Sequence, residues 1–70
     1  MKARIYRDPP RGILFVGPDR DGNYHIYRKS EASRTAERVH GYGPYSPFER
    51  AQQTLDILAH DKHLEELEFI

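Results

Sequence analysis

The chain has 70 residues, 37% of them apolar, with no Cys and a formal net charge of zero. That length gives one small domain spanning 1–70, near the lower limit for unaided folding, and the missing Cys excludes a disulfide framework and a thiolate metal site. No apolar run approaches the length of a membrane span, and Met1-Lys2-Ala3-Arg4 lacks a signal peptide's apolar core, so a soluble cytoplasmic protein without membrane contact is expected.

The neutral total hides an uneven spread. Residues 1–45 carry nine Lys/Arg and five Asp/Glu, a balance of +4, and residues 46–70 carry two and six, a balance of −4. Such asymmetry can mark a polyanion-binding face. It also arises when a basic sheet and an acidic helix attract each other.

Residues Lys2 to Arg7 read as a short strand, with Ala3 and Ile5 alternating against Lys2 and Arg4. Pro9 and Pro10 end it, because neither can donate to a ladder. The most apolar run, Ile13-Leu14-Phe15-Val16, reads as a central strand. Gly17 to Asn23 reads as a turn and Tyr24 to Arg28 as the returning strand, a hairpin around Asp21-Gly22. Lys29 to Ala36 reads as a polar loop. Glu37 to Tyr42 reads as a further strand weakened by Gly41.

The clearest local signal is Ser46-Pro47-Phe48-Glu49. Ser46 stands where an N-cap belongs, Pro47 suits the first helical position, and Glu49 could complete a capping box. This predicts a helix from about 47 to 60. At 100° per residue, Phe48, Ala51, Leu55 and Leu58 fall within about 80° of arc and form its core side. Glu49, Gln53, Asp56 and His60 fall on the wet side, with Ile57 among them. A straight extension would expose Leu64, so a break is expected near 60–63. After it, Leu67 and Phe69 alternate with Glu66 and Glu68 as in a strand; a second short helix is the competing reading. The fold expected is α+β, an antiparallel sheet of three to five strands with one amphipathic helix on one face. The strand at 2–7 or the one at 65–70 should lie at a sheet edge.

Catalytic and metal patterns are thin. Asp19-Arg20-Asp21-Gly22-Asn23 has the wrong spacing for a calcium loop. Asp56, His60 and His63 lack a further ligand. Ser30, Ser33 and Ser46 sit in no nucleophile pattern. An enzyme, a cofactor and a metal are therefore not expected. Surface recognition remains. Tyr24, Tyr27, Tyr42 and Tyr45, with Arg28, Arg38 and His40, come from the predicted strands and the loop into the helix, and Tyr and Arg are enriched at interface hot spots. The candidate partner-binding residues are Tyr27 and Tyr42 as anchors, Arg28 and Arg38 at the rim, and Ile57 on the helix.

The order of an antiparallel meander, then Gly43-Pro44-Tyr45-Ser46, then Phe48-Glu49-Arg50-Ala51 in a helix resembles two groups in outline. One is the plant AP2-type and integrase arm-binding domains, where a three-stranded sheet contacts DNA. The other is small phage-encoded inhibitors of the anti-CRISPR type. The leading expectation is a non-enzymatic module that docks on a protein partner, a monomer or weak homodimer. The alternative is a sheet that binds nucleic acid through Arg on phosphates and Tyr on bases.

Overall fold

A strand that is apolar on both sides needs cover on both sides, and the described residues supply one helix. The computed structural model describes residues 3–10 and 12–67. It contains β1 (Ile5–Asp8), β2 (Gly12–Pro18), β3 (Tyr24–Ser30), β4 (Glu37–Arg38), α1 (Phe48–Asp61) and β5 (Glu66–Leu67). The strands form one antiparallel sheet in the order β4-β3-β2-β1-β5, and α1 covers one face. The chain is thus a small α+β domain with β2 at the centre. The edges are β4 and β5; β1 lies inside, because β5 returns alongside it through Ile5–Leu67 and Tyr6–Glu66. The expected strand position of Phe69 lies outside the described residues.

The core sits between the sheet and α1. Tyr6, Leu14, Ile26, Leu55 and Ala59 are buried together, with Val16, Val39, Tyr42, Leu58 and Leu64 packed around them. Ile26 and Leu55 have no exposed surface. Burying each is worth about 1.5–3 kcal/mol.

Three expectations need correction. First, β1 turns the other side inward. Tyr6 is buried while Ala3 is exposed, and Arg4 reaches the helix. An amphipathic Tyr with a carboxylate within reach of its hydroxyl is a better occupant of the thin core than Ala. Second, the buried stripe of α1 is Ala51, Gln52, Leu55 and Ala59. Its centre lies about 30° round from the expected one at 100° per residue. That rotation brings Asp56, expected on the wet side, to the half-buried margin beside β1.

Third, no side chain caps α1. The N-cap residue is Pro47, and Ser46 lies one position outside the helix. Glu49 is then the second helical residue, and the capping-box spacing is lost. The Pro47 carbonyl instead accepts the Arg50 N–H at 3.1 Å. The start is held by Tyr45, which exchanges two 2.8 Å backbone bonds with Tyr24, and by the Phe48 ring edge-on to Tyr24 at 5.5 Å.

The other end behaves as expected, breaking after Asp61. Leu64 N–H reaches back to the Ala59 carbonyl (2.9 Å) and His63 N–H to that of His60 (3.2 Å), with His63 left-handed at φ 57°. This is a Schellman closure, and it folds Leu64 onto the core instead of into solvent. The chain then enters β5.

Candidate functional site

Residues paired directly across antiparallel strands share a face, and neighbours along a strand alternate. The register therefore sorts the sheet. The helix side carries Tyr6, Leu14, Val16 and Ile26. The other side carries Leu67 and Ile5 as one pair, then Phe15, Tyr27 and Arg38 in one row, and Arg7, Ile13 and Lys29 in a second. No element of the described chain covers this side. Its five large apolar side chains, Ile5, Ile13, Phe15, Tyr27 and Leu67, are all half-buried.

The centre of the open face is ordered by Gly17. Tyr27 lies down along the sheet, its hydroxyl 3.4 Å from the Pro18 carbonyl. A Cβ on Gly17 would stand 3.1 Å from the edge of the Tyr27 ring and 3.7 Å from Phe15, so the missing side chain leaves the room the rings occupy. Phe15 and Tyr27 stack with centroids 5.8 Å apart. Beside them a shallow hollow has Ile13 and Leu67 in its lining with Arg7, Lys29 and Glu31. The Arg7 guanidinium is 3.9 Å from Glu65, and both are largely exposed. Lys29 donates to the Ser33 carbonyl at 2.8 Å. Arg38 has no ion pair among the described residues.

At the turn end of this face His25 is buried and donates from Nε2 to Asp19 Oδ2 at 2.7 Å. Asp19 Oδ1 accepts the N–H of Asp21 (2.8 Å) and Asn23 (3.0 Å). Burial alone would raise the Asp19 carboxyl, but the His25 and backbone bonds outweigh it and hold the group below its ordinary value. Both oxygens are thus used to shape the β2–β3 turn. His25 Nδ1 is buried without a partner among the described residues and faces Gly43, where a Cβ would come within 2.8 Å. The pair ties the β2–β3 turn to the first residues of β3.

The second polar cluster ties β1 to the helix. The Arg4 guanidinium donates to both oxygens of Asp56, the Tyr6 hydroxyl donates to Asp56 at 2.6 Å, and Gln52 donates to it at 3.1 Å. Gln52 also holds the Arg4 backbone, accepting its N–H and donating to its carbonyl, each at 3.2 Å. Burial raises Asp56, and the bonds from Arg4, Tyr6 and Gln52 more than reverse this, so its carboxyl lies below the ordinary range. Burial, then the Asp56 carboxylate, push the Tyr6 phenol up to about 12. The hydrogen bond to Asp56 raises Arg4 further above its ordinary value. The cluster is a clamp between layers.

The five candidate residues do not form one patch. Tyr27 and Arg38 are paired neighbours on the open face. Arg28 is on the helix side of β3, opposite Glu37 and 4.0 Å from Asp8. Tyr42 is half-buried against the core. Ile57 is 64% exposed on the far side of the helix. Phe15, Ile13, Ile5, Leu67, Arg7 and Lys29 were not among the candidates. The available signal was a layer count: a strand apolar on both faces and a single helix leave one face uncovered.

Among the described residues no group of His, Asp and Glu is placed to hold a metal ion, and no helix is long and apolar enough to cross a membrane. The chain matches no family model, and no curated protein or solved structure matches it.

Proposed function

We propose that the protein is a non-enzymatic binding module that docks on a protein partner through the open face of its sheet. One observation carries this reading: Ile13, Phe15 and Tyr27, with the Ile5–Leu67 pair, form an apolar centre left uncovered, and Arg7, Lys29 and Arg38 stand around it. An apolar middle inside a charged rim is the anatomy of a protein interface. A contiguous apolar patch on a small domain marks a contact surface. The two best-ordered polar clusters are spent on the turn and on the helix clamp, which supports binding over catalysis. Tyr27 keeps its role as an anchor and Arg38 its role at the rim. A cytoplasmic inhibitor or accessory protein of a phage or mobile element is one concrete form, supported by small size and the missing Cys.

Nucleic acid is the second reading, favoured by the Phe15–Tyr27 stack beside three cations. The experiment places a photo-cross-linking amino acid at position 13, or at position 57 on the helix, in the full chain. The reporter at 13 should capture a recurring protein in nuclease-treated lysate, and the one at 57 should not. Equal capture at both positions, or capture abolished by nuclease, would sink the protein-docking reading.

A further inference from the structure

Resting on the docking reading, we infer that the protein partner is a second copy of this chain. Its open face stacks on the first about a two-fold axis that runs along the strands between β1 and β2. Such a contact needs a surface that is its own complement. The face carries both signs of charge. Glu31 lines the hollow with Arg7 and Lys29, and Asp19 and Asp21 line the one with Tyr27, Arg20 and Arg38. A copy of the face is therefore not repelled as it would be by a surface of one sign.

The register supplies the complement. Ile5 pairs with Leu67, and one step on from Tyr6–Leu14 it lies opposite Phe15, which pairs with Tyr27. From β5 through β1 and β2 to β3, the first row is Leu67, Ile5, Phe15 and Tyr27. One step on from Tyr6–Glu66, Arg7 lies opposite Glu65, whose carbonyl accepts its N–H at 2.8 Å. Arg7 pairs with Ile13 and Ile13 with Lys29, so the second row is Glu65, Arg7, Ile13 and Lys29. The axis exchanges β1 with β2 and β5 with β3. Leu67 of one copy then meets Tyr27 of the other, Ile5 meets Phe15, and Glu65 meets Lys29. Arg7 lies over Ile13, with its methylene stem as cover. Stacked sheets lie about 10 Å apart with strand directions within about 30° of each other, which an axis along the strands allows. Lys29 has no carboxylate at ion-pair distance among the described residues, and Glu65 has there only the 3.9 Å contact with Arg7.

The chain also lacks the usual supports of a small fold. Among the described residues its large buried apolar side chains are Tyr6, Leu14, Ile26 and Leu55. It has no Cys, and no described group is placed to hold a metal ion. Domains of this size gain stability from disulfides, a metal or association. Two rows of four residues are fewer than the roughly 20–30 that each side of a standard interface brings, so the dimer is weak.

The test is sedimentation equilibrium of the full chain from about 10 µM to about 1 mM, which spans weak association. The parent should pass from monomer to dimer. Lys29→Glu and Glu65→Lys should each weaken the dimer about tenfold or more, because two acid–base contacts become two like-charge contacts. An equimolar mixture of the two variants should restore association, since every contact between unlike copies is again acid on base. Arg50→Glu makes the same change of charge at an exposed position on the helix and should sediment as the parent does. A second readout needs no variant: the amide NMR signals of Ile5, Phe15 and Tyr27 should move with concentration, and those of α1 should not. Reversals that leave the dimer intact, or a mixture that fails to restore it, would overturn the two-fold contact. A chain still monomeric at about 1 mM would overturn the second copy as occupant. If the reporter at position 13 then captured a different protein, the docking face would stand; if it captured none, both readings would fall. Capture abolished by nuclease would give the face to nucleic acid.

Discussion

The two faces of one sheet are built from the same strands and have opposite fates. On the helix side every large side chain finds a partner. Leu14 and Ile26 meet Leu55 and Ala59, and even the polar groups close on themselves through Arg4, Tyr6, Gln52 and Asp56. On the open side Phe15 stacks on Tyr27, Ile5 pairs with Leu67, and nothing in the described chain lies above them. The contrast teaches that stability and recognition are divided by the pleat: alternate residues of β2 serve one or the other.

The largest expected effect tests that division directly. Leu55→Ala removes the centre of the covered face and should cost about 2–5 kcal/mol. Ile13→Ala, on the same sheet but the open side, should cost less, about 1–2 kcal/mol, because its side chain is only partly buried. Urea unfolding of both variants reads the difference. Equal costs would mean that the open face is a second core, with its cover supplied from outside the described residues.

The polar clamp gives the next effect. Asp56→Asn weakens the bonds from Arg4 and Tyr6 and should cost roughly 1–3 kcal/mol at neutral pH. The pH dependence has a sign. Asp56 has its carboxyl lowered in the fold, so its contribution is present above the unfolded value of about 4 and is lost as pH falls through the folded one. Asp56→Asn should therefore flatten the acid limb of the stability curve. Tyr6 is raised to about 12, so its contribution is full below about 10 and fades as pH rises through 12. Tyr6→Phe should flatten that alkaline limb. An acid limb equally steep in Asp56→Asn would show that other carboxylates carry it.

How far the sequence could be read follows from what each residue signals alone. An unbroken apolar run located β2, the hairpin signal around Asp21-Gly22 located β3, and the stranded position of Leu64 on a straight helix located the break that the Schellman closure makes. All three are properties of a residue and its neighbours. The clamp was not legible, because Arg4 and Asp56 are 52 positions apart and each looks like an ordinary surface charge. The phase of β1 was not legible either, since Ala3 and Ile5 outweighed Tyr6 in any local count of apolar residues. The open face was half legible. Tyr27 and Arg38 were singled out by residue type, but their companions Phe15 and Ile13 sat inside a run that local pattern assigns to the core. Three-dimensional layering decides such cases, and it enters only after the number of covering elements is known.

The smallest effect concerns how the covering layer begins. Ser46 has the residue type, position and downstream Glu49 of a capping box, for which replacement by Ala costs about 1 kcal/mol. In the structure the hydroxyl makes no cap bond, the helix starts one residue later, and the Arg50 N–H is taken by the Pro47 carbonyl. Ser46→Ala should then change stability by less than about 0.5 kcal/mol. Phe48→Ala should cost more, because the ring packs edge-on against Tyr24 and fixes where the helix meets the sheet. Urea denaturation of the two variants separates a helix start held by packing from one held by a cap. A loss of about 1 kcal/mol or more in Ser46→Ala would restore the capping box, and the start of the covering layer would then be set locally, without help from the face it covers.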